Sequence, residues 1–334
     1  MNDDRMDTEL SPDSQMVFVL CAHLPKAANG TADPLPPKEY QRLALWLNQN
    51  KRRPADLFSL ETDDALSMEL SGHGFDVERL VGLIRRAGTL SLKADEWSQR
   101  GIWIRTRADE DYPERLRRAF GGLIPPLVFG SGDPAALQGG GVAIVGSRHA
   151  SQEALEATRR VAEIAAGYGS AVISGGARGV DSTATYAAFE AGGVVVEVLA
   201  EGLAKRVRDR NARQAIEAGR LTIISFFSPE AGFSVGQAMA RNRYVYALAD
   251  RAVVVCTDSG SGGTWAGAVE NLRKTKRPVY VLDETWAPPG NRDLQKHGAI
   301  PVSLDRLQEI LAGDEEDDLP LNSQEQMGLF DQGD

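Results

Sequence analysis

Four short segments of this sequence combine glycine with basic or hydroxyl residues and could bind phosphate groups. Glycine leaves backbone N–H groups open to an anion, and a helix that begins beside them adds the attraction of its dipole. Arginine adds forked donors that match phosphate oxygens. The segments are a first loop, Gly146-Ser147-Arg148, a second loop, Ser174-Gly175-Gly176-Ala177-Arg178-Gly179, a third loop (202–213) with Lys205 and Arg206, and a fourth loop (258–267) with Ser261, Gly263 and Thr264.

Each segment taken alone has a simpler interpretation. A Gly-Gly pair after a strand fits an ordinary tight turn, and the basic run KRVRDRNAR of the third loop fits a solvated helix face. Asp181 and Ser182 fit a helix start better than a catalytic role. A further segment, Arg241-Asn242-Arg243, is placed near a predicted helix start. The prediction of a phosphate site therefore depends on whether these segments meet.

The surrounding elements predict that they do. Short apolar runs alternate with segments of helical spacing, which indicates a parallel sheet covered by helices on both faces. The predicted fold class is α/β, a doubly wound Rossmann-like parallel sheet, whose ligands bind beyond the carboxyl ends of the strands where the strand order reverses. The predicted strands are residues 141–147, 170–174, 194–200, 221–228, 251–257 and 277–283, and the helices between them are 151–167, 182–191, 209–218, 238–248 and 264–274.

The first hundred residues predict a smaller, mainly helical N-terminal domain, with helices at 38–49, 54–70, 76–87 and 93–99. Gly72-His73-Gly74 fits either a helix–hairpin–helix that grips a DNA backbone or a simple turn between packed helices. A strand at 101–109, a helix at 112–120 and a strand at 125–132 lead into the sheet. We predict an acidic disordered leader (1–15), a helical domain (16–100), a Rossmann-like domain (101–312) and an acidic disordered tail (313–334).

Composition and charge narrow the functional classes. The net charge is −10, but between the two acidic ends 36 Lys and Arg face 34 Asp and Glu, so the total charge does not decide for or against a phosphate partner. Cys21 and Cys256 lie in apolar runs and fit packed thiols of a reducing compartment, which predicts a cytoplasmic protein. Four histidines without paired spacing predict no metal site or cofactor, and no apolar run is long enough to predict a membrane span.

Several catalytic motifs are missing. The strict G-x-G-x-x-G does not follow the first strand of the sheet, which argues against a dinucleotide dehydrogenase, and no G-x-x-x-x-G-K-[ST] indicates a P-loop ATPase. No Ser–His–Asp or Cys–His set is suggested at the predicted edge, where Asp258 and Glu270 are the nearest carboxylates. The sequence therefore favours binding over catalysis and predicts that the chain is not an enzyme.

An ordered set of motifs resembles the DNA-processing protein A (DprA/Smf) family. It comprises GIWIRTRADEDYPERLRRAFGGLIPPLVFGSGDPAAL, VAIVGSRHAS, SGGARGVDSTA, RNR, SGSGGT and GNRDLQKHGAIPV, over about residues 100–302. The resemblance implies a Rossmann-like protein that dimerises, binds single-stranded DNA and loads a RecA-type recombinase. It also implies contact between the DNA backbone and Ser147, Arg148, Ser174, Gly175, Gly176, Arg178, Gly179, Arg241 and Arg243.

The sequence departs from the family pattern at several points. Ala184-Thr185 replaces a frequent Ala-His pair, and the third loop keeps only Gly202, Leu203 and Asn211 of a longer motif. Trp265 stands in the fourth loop, where it fits either base stacking or core packing. The C-terminal winged helix of many members is not recognisable. These departures suggest a divergent member in which DNA binding is expected more firmly than recombinase loading.

Two other functions stay open at the level of sequence. SGSGGTWAGAVE also resembles a loop of nucleoside-monophosphate phosphoribohydrolases, although Glu270 comes six residues after Thr264, nearly two helical turns away. A sensor that binds a free nucleotide without hydrolysing it is the other alternative. Both would place a nucleotide at the same glycine-rich edge.

The C-terminal tail carries a separate signal. Gln326-Met327-Gly328-Leu329-Phe330 is similar to the peptides by which bacterial proteins dock on the replicative sliding clamp. A disordered tail can present Met327, Leu329 and Phe330 to a groove and become ordered on binding. The alternative is that these side chains fold back onto the body of the protein.

Overall fold

The computed structural model describes residues 10–24, 32–274 and 277–312. Most of the predicted acidic leader and all of the predicted tail, including the proposed clamp peptide, lie outside the described residues. Within the described part no helix is long and apolar enough to cross a membrane. The same residues hold no group of three or more His, Cys, Asp or Glu side chains placed to bind a metal ion.

Helices form the N-terminal region, as predicted, but the first of them was not predicted. Ser11 caps this helix by accepting a hydrogen bond from the backbone N–H of Ser14, and Pro12 fits its first turn. The helix therefore begins inside the segment predicted to be a disordered leader. The helices of this region are α1 (Pro12–Cys21), α2 (Pro37–Gln49), α3 (Asp64–Gly72), α4 (Val77–Ile84) and α5 (Ala87–Ser98).

Helix α1 is buried over most of its length because its residues from Met16 to Cys21 are all apolar. Other N-terminal helices surround it, and the buried guanidinium of Arg86 donates two hydrogen bonds to the carbonyl of Val19. The hydrophobic core formed in this way continues into the sheet through Trp97 and Phe129, whose rings meet edge to face. The helical region and the sheet thus share one core across the predicted domain boundary.

A nine-stranded sheet forms the centre of the molecule, in the order β1-β2-β6-β5-β4-β3-β7-β8-β9. Strands β3 to β9 are mutually parallel, which confirms the predicted Rossmann-like α/β fold. The strands are β1 (Trp103–Thr106), β2 (Leu127–Ser131), β3 (Val142–Val145), β4 (Val172–Ser174), β5 (Val195–Leu199), β6 (Leu221–Ser225), β7 (Arg251–Val254), β8 (Val279–Leu282) and β9 (Ile300–Val302).

One edge of the sheet, beyond the strands β3 to β8 that were predicted to be parallel, is antiparallel. Strand β2 pairs antiparallel with both β1 and β6. An antiparallel edge on an otherwise parallel sheet is common, and here it lies where the N-terminal helices cover the sheet. Strand β9, at the opposite edge, was not predicted because its three residues are too short to produce a pattern.

Helices cover both faces, so that alternate residues of one strand enter different cores. In β3, Val142 and Ile144 belong to the core beneath α8 and α9, whereas Ala143 and Val145 belong to the core beneath α11 and α12. The remaining helices are α6 (Glu114–Phe120), α7 (Ala136–Gly139), α8 (Gln152–Gly167), α9 (Val180–Glu190), α10 (Arg210–Glu217), α11 (Val235–Leu248), α12 (Gly262–Lys274), α13 (Pro289–Gln295) and α14 (Leu304–Ala312).

The strand order reverses between β3 and β7. From β3 the chain proceeds through β4, β5 and β6 on one side, then returns to place β7, β8 and β9 on the other. The loops that leave β3 and β7 therefore diverge and open a crevice between them, which is the usual ligand position in such sheets.

Candidate functional site

The first and fourth loops form the two walls of this crevice. The backbone N–H of Ser147 donates to the carbonyl of Cys256 at 3.0 Å, and the hydroxyl of Thr264 donates to the carbonyl of Gly146 at 3.0 Å. Asn242 on α11 secures the fourth loop from below, because its amide donates to the carbonyl of Gly263 at 2.9 Å. The predicted meeting of these two loops is therefore present in the fold.

The crevice contains a cleft of about 310 Å³. Glycine, hydroxyl and basic residues form one side of it, and apolar side chains of α11 and the preceding loop form the other. The N-terminus of α12 opens into the cleft at Ser261 and Gly263, so its unpaired N–H groups favour an anion there. The predicted residues that line the cleft are Gly146, Ser147, Arg148, Arg241, Asn242, Ser261, Gly263 and Thr264.

The second loop lies against the first. Gly179 adopts a φ of +85°, and a Cβ at this position would lie 2.5 Å from the carbonyl oxygen of Ser147, so only glycine permits this approach. Ala177 reaches the cleft, while Gly176 and Arg178 are exposed beside it. Ser174, in contrast, is fully buried, and its hydroxyl donates to the carbonyl of Ile144 at 3.0 Å. Ser174 thus connects two strands rather than facing the surface.

Arg148 and Arg178 are exposed cations of the first and second loops. Neither forms an ion pair within the described residues, and the guanidinium carbon of Arg148 lies 5.7 Å from the ring centroid of Phe233. A guanidinium that has no carboxylate partner keeps its donors free for phosphate oxygens. These two arginines of the predicted set are therefore exposed and without an ion-pair partner among the described residues.

Arg241 has a different environment from the one expected of a DNA-contacting residue. It is buried beneath the second loop, and its Nη1 lies 3.5 Å from the Oδ2 of Asp181, which is also buried. Burial raises the pKa of Asp181 against the opposing effect of Arg241, and burial lowers the pKa of Arg241. Arg241 lines part of the cleft, but its guanidinium is paired with the carboxylate of Asp181.

Arg243 lies away from the cleft. Its guanidinium carbon is 5.1 Å from the ring centroid of Tyr244 and 5.9 Å from that of Phe120, and its Nε donates to the carbonyl of Ala240. On a helix, a residue two positions after Arg241 points to a different side, which separates the two arginines of the motif. The structure therefore does not bring Arg243 together with the other predicted site residues.

The third loop contacts the second loop through the buried carboxylate of Glu197 on β5. Glu197 accepts a hydrogen bond from Nε of Arg206 at 2.8 Å and lies directly beneath Gly176 of the second loop. Burial alone would lower the pKa of Arg206, but Glu197 and Asp209 together raise it. Arg206 is thus engaged in ion pairs, whereas Lys205 is exposed and forms none within the described residues.

Glu270 and Trp265, whose roles the sequence left open, both have other partners. Glu270 does not line the cleft, and it accepts a hydrogen bond from Lys274 one turn further along α12 at 2.6 Å. Trp265 packs on the core and meets the ring of His297 edge to face at 5.3 Å. The core-packing interpretation of Trp265 is the one that the structure favours.

The apolar side of the cleft was not predicted from the sequence. Phe233, Val235 and Met239 line it and are 51%, 70% and 53% exposed, which is unusual for large apolar side chains. The segment that carries Phe233 has no regular periodicity, so nothing in the pattern predicted that these side chains meet. Asn291 was not predicted either. Its buried side-chain amide donates to the carbonyls of Val255 and Leu282 and accepts from the backbone N–H of Thr257, which fixes the start of the fourth loop.

Comparisons with known proteins agree with this architecture. Residues 103–312, more than half of the chain, match the DNA recombination-mediator protein A family. Protein Smf of Synechocystis sp. is 27% identical over 279 residues, which cover 81% of this chain and 65% of that protein. Protein Smf of Escherichia coli is 33% identical over 202 residues, which cover 58% of this chain and 52% of that protein. The chain thus spans about half to two thirds of the length of these relatives.

Two solved structures share the fold. DNA processing protein A from Streptococcus pneumoniae superposes with a TM-score of 0.55 at 18% identity, covering 76% of this chain and 94% of that chain. DNA processing protein A from Helicobacter pylori, solved for its single-stranded DNA binding mode, superposes with a TM-score of 0.53 at 23% identity, covering 64% of this chain and 97% of that chain. Together with the family match, they confirm the resemblance seen in the sequence: the chain belongs to the DNA recombination-mediator protein A (DprA/Smf) family.

Proposed function

We propose that this protein binds single-stranded DNA along the edge formed by the first, second and fourth loops and acts in DNA processing, in uptake, recombination, repair or defence. The observation that carries the proposal is that Arg148 and the N-terminus of α12 line one cleft, while the second loop reaches it at Ala177 and exposes Arg178 next to that residue; neither arginine forms an ion pair within the described residues. Each of these features attracts phosphate by itself. Family membership and the relative from Helicobacter pylori support a DNA strand as the source of the phosphates.

The apolar side of the cleft supports a single strand over a duplex. Unpaired bases expose π-faces that stack on aromatic side chains, whereas the bases of a duplex are already stacked. Phe233 is half exposed on the side of the cleft that faces the phosphate-binding loops. A strand whose backbone follows the loops would place a base against this ring.

We propose that the protein is a binding protein and not a hydrolase. The carboxylates that line the cleft within the described residues are Asp181 and Asp258. Asp181 is paired with Arg241, and Asp258 is exposed to solvent, so the described residues place no buried, unpaired carboxylate in the cleft. A phosphoribohydrolase would need such a group close to the glycosidic bond, and Glu270 does not occupy that position.

Fluorescence anisotropy with labelled oligo-dT tests the proposal. We expect tight binding that weakens steeply with salt, resists millimolar AMP and competes poorly with duplex DNA. Arg178→Ala should weaken binding about tenfold, while the matched control Arg273→Ala, an exposed arginine at the far end of α12, should not. Displacement by AMP would instead identify the cleft as a nucleotide pocket and make base release the next assay.

Family membership also leads us to propose homodimerisation, recombinase loading and a cytoplasmic location. Light scattering on the purified protein should give twice the chain mass, and the protein should accelerate filament formation by a RecA-type recombinase on oligo-dT.

The peptide 326–330 is proposed to dock on the sliding clamp. Deleting residues 324–334 should abolish clamp pull-down, and unchanged pull-down would contradict this proposal.

A further inference from the structure

A buried ion pair lies directly behind the second loop. Asp181 belongs to the first turn of α9 and Arg241 to α11, so the pair connects the two helices that flank the loop. Burial raises the pKa of Asp181, and Arg241 together with the backbone of Ala177 and Gly175 opposes this rise. The buried carboxylate is therefore paired with one guanidinium and faces the backbone of the second loop.

Arg241 packs against the loop as well as against the carboxylate. A Cβ at position 175 would overlap Nη1 of Arg241, so the guanidinium occupies the space that any side chain at Gly175 would need. Its Nε is buried and has no hydrogen-bond partner within the described residues. The guanidinium is thus positioned by packing against Gly175 and by Asp181, with only about 4% of the residue exposed.

This environment does not suit a direct phosphate ligand. Arg148 and Arg178 are exposed to solvent, whereas Arg241 is buried and reaches the cleft with only a small part of its surface. A buried ion pair adds little stability compared with apolar residues of the same volume, although removal of one partner is costly. The presence of the Asp181–Arg241 pair is therefore better explained by its effect on the conformation of the second loop.

We propose that Arg241 is a positioning residue that acts through Asp181: the pair holds the backbone of Gly175 and Ala177 inward so that Gly176 and Arg178 face the DNA. The proposal rests on the proposed single-stranded DNA binding and deepens it. Arg241 does not touch the strand in this arrangement. Its effect on binding is transmitted through the conformation of the second loop.

The charge of Asp181 makes the proposal testable by the sign of one effect. Asp181→Asn removes a negative charge from the edge that binds DNA, so electrostatics alone predicts tighter binding. Loss of the positioning contact predicts weaker binding, because an amide cannot replace the carboxylate opposite Arg241. We expect Asp181→Asn to weaken oligo-dT binding about tenfold, which corresponds to about 1.4 kcal/mol.

A double-mutant cycle identifies the route of the effect. If Asp181 acts by presenting Arg178, then Asp181→Asn should cost clearly less in the Arg178→Ala background than in the wild-type protein. Arg241→Gln should weaken binding to a similar extent as Asp181→Asn and should show the same dependence on Arg178. A direct phosphate contact of Arg241 would instead give losses that add to those of Arg178→Ala.

The experiment is the oligo-dT titration on the full chain, with thermal unfolding of each variant recorded so that binding is compared well below its midpoint. Asp181→Glu, which keeps the charge, is the second variant if Asp181→Asn does not fold, and it should retain more binding than Arg241→Gln. Equal or tighter binding by Asp181→Asn, or additive losses in the cycle, would overturn the positioning role. Failure of the wild-type protein to bind oligo-dT would overturn the proposed function itself.

Discussion

Two glycine turns of this molecule share a glycine of positive φ but have opposite surroundings. The second loop and the turn at Gly72-His73-Gly74 both fit a phosphate-binding backbone, and both contain a glycine with positive φ, +85° at Gly179 and +71° at Gly74. At the second loop, exposed arginines flank the turn. At the N-terminal turn, the carbonyls of His73 and Gly74 accept hydrogen bonds from the guanidinium of Arg42.

The difference lies in which backbone groups face the neighbouring charges. Around the N-terminal turn the cations are already engaged: Arg42 by the carbonyls, Arg79 by Glu39 at 2.7 Å, and Arg52 by Glu69 at 3.1 Å. The turn therefore serves the packing of α3 against α4, which is the simpler of its two interpretations. A glycine turn becomes a candidate phosphate site only where donors remain free beside it.

The largest effect is expected from removing the exposed arginines of the first and second loops. Arg148→Ala with Arg178→Ala should weaken oligo-dT binding about a hundredfold, because each charge-assisted contact contributes about 1.5 kcal/mol. The slope of log affinity against log salt should become shallower by about 1.4, since a single strand loses about 0.7 for each phosphate contact. Titrations at three or more salt concentrations measure both quantities, and an unchanged slope would show that these arginines do not contact phosphate.

Gly179→Ala and Gly74→Ala form a matched pair that sharpens the comparison. Both substitutions force alanine into the left-handed region at a cost of about 1–2 kcal/mol in the free energy of unfolding. At position 179 the new Cβ also meets the backbone of the first loop, whereas at position 74 it meets only the flexible end of Arg42 at 3.3 Å.

We therefore expect both variants to lower the denaturant midpoint, and only Gly179→Ala to lose DNA affinity, by about tenfold or more. Equal loss of affinity in the two variants would contradict the assignment of the turns, because it would place the N-terminal turn on the DNA as well. Chemical denaturation and anisotropy on the same preparations provide both measurements.

Phe233→Ala should have a smaller effect than loss of the arginines. Stacking of one base contributes about 1–3 kcal/mol, and the lower value is expected because Arg148 lies over part of the ring. This corresponds to about a fivefold loss of affinity with an unchanged salt slope. Phe233→Trp is the control that should retain binding, and a change in slope on Phe233→Ala would indicate that the loop has moved rather than that stacking is lost.

The sequence predicted the positions of the loops much better than the surroundings of individual side chains. Continuous apolar runs identified the central parallel strands, and the direction of parallel strands then placed the first, second and fourth loops at one edge. The antiparallel edge could not be predicted in this way, because strand β2 is as apolar as the others and its direction depends on how the chain connects to β6.

Arg241 shows why the site itself was only partly predictable. Arginine is rarely buried unless it is paired, and its partner Asp181 is sixty positions away in the chain, a separation that no local pattern reveals. Phe233 was missed for the opposite reason: an aromatic residue in an irregular segment is usually packed, and only the fold shows that this ring remains exposed at the cleft.

The smallest effect is expected from Arg42→Gln at the N-terminal turn. The guanidinium of Arg42 satisfies the carbonyls of His73 and Gly74 and lies 4.4 Å from the ring centroid of Phe75. Because Arg42 is exposed and water can replace the lost donors, the free energy of unfolding should fall by about 1 kcal/mol or less, and oligo-dT affinity should change less than twofold. A loss of affinity with a shallower salt slope would mean that Arg42 contacts phosphate, so that the turn would have to be counted as a second DNA-binding element rather than a packing turn.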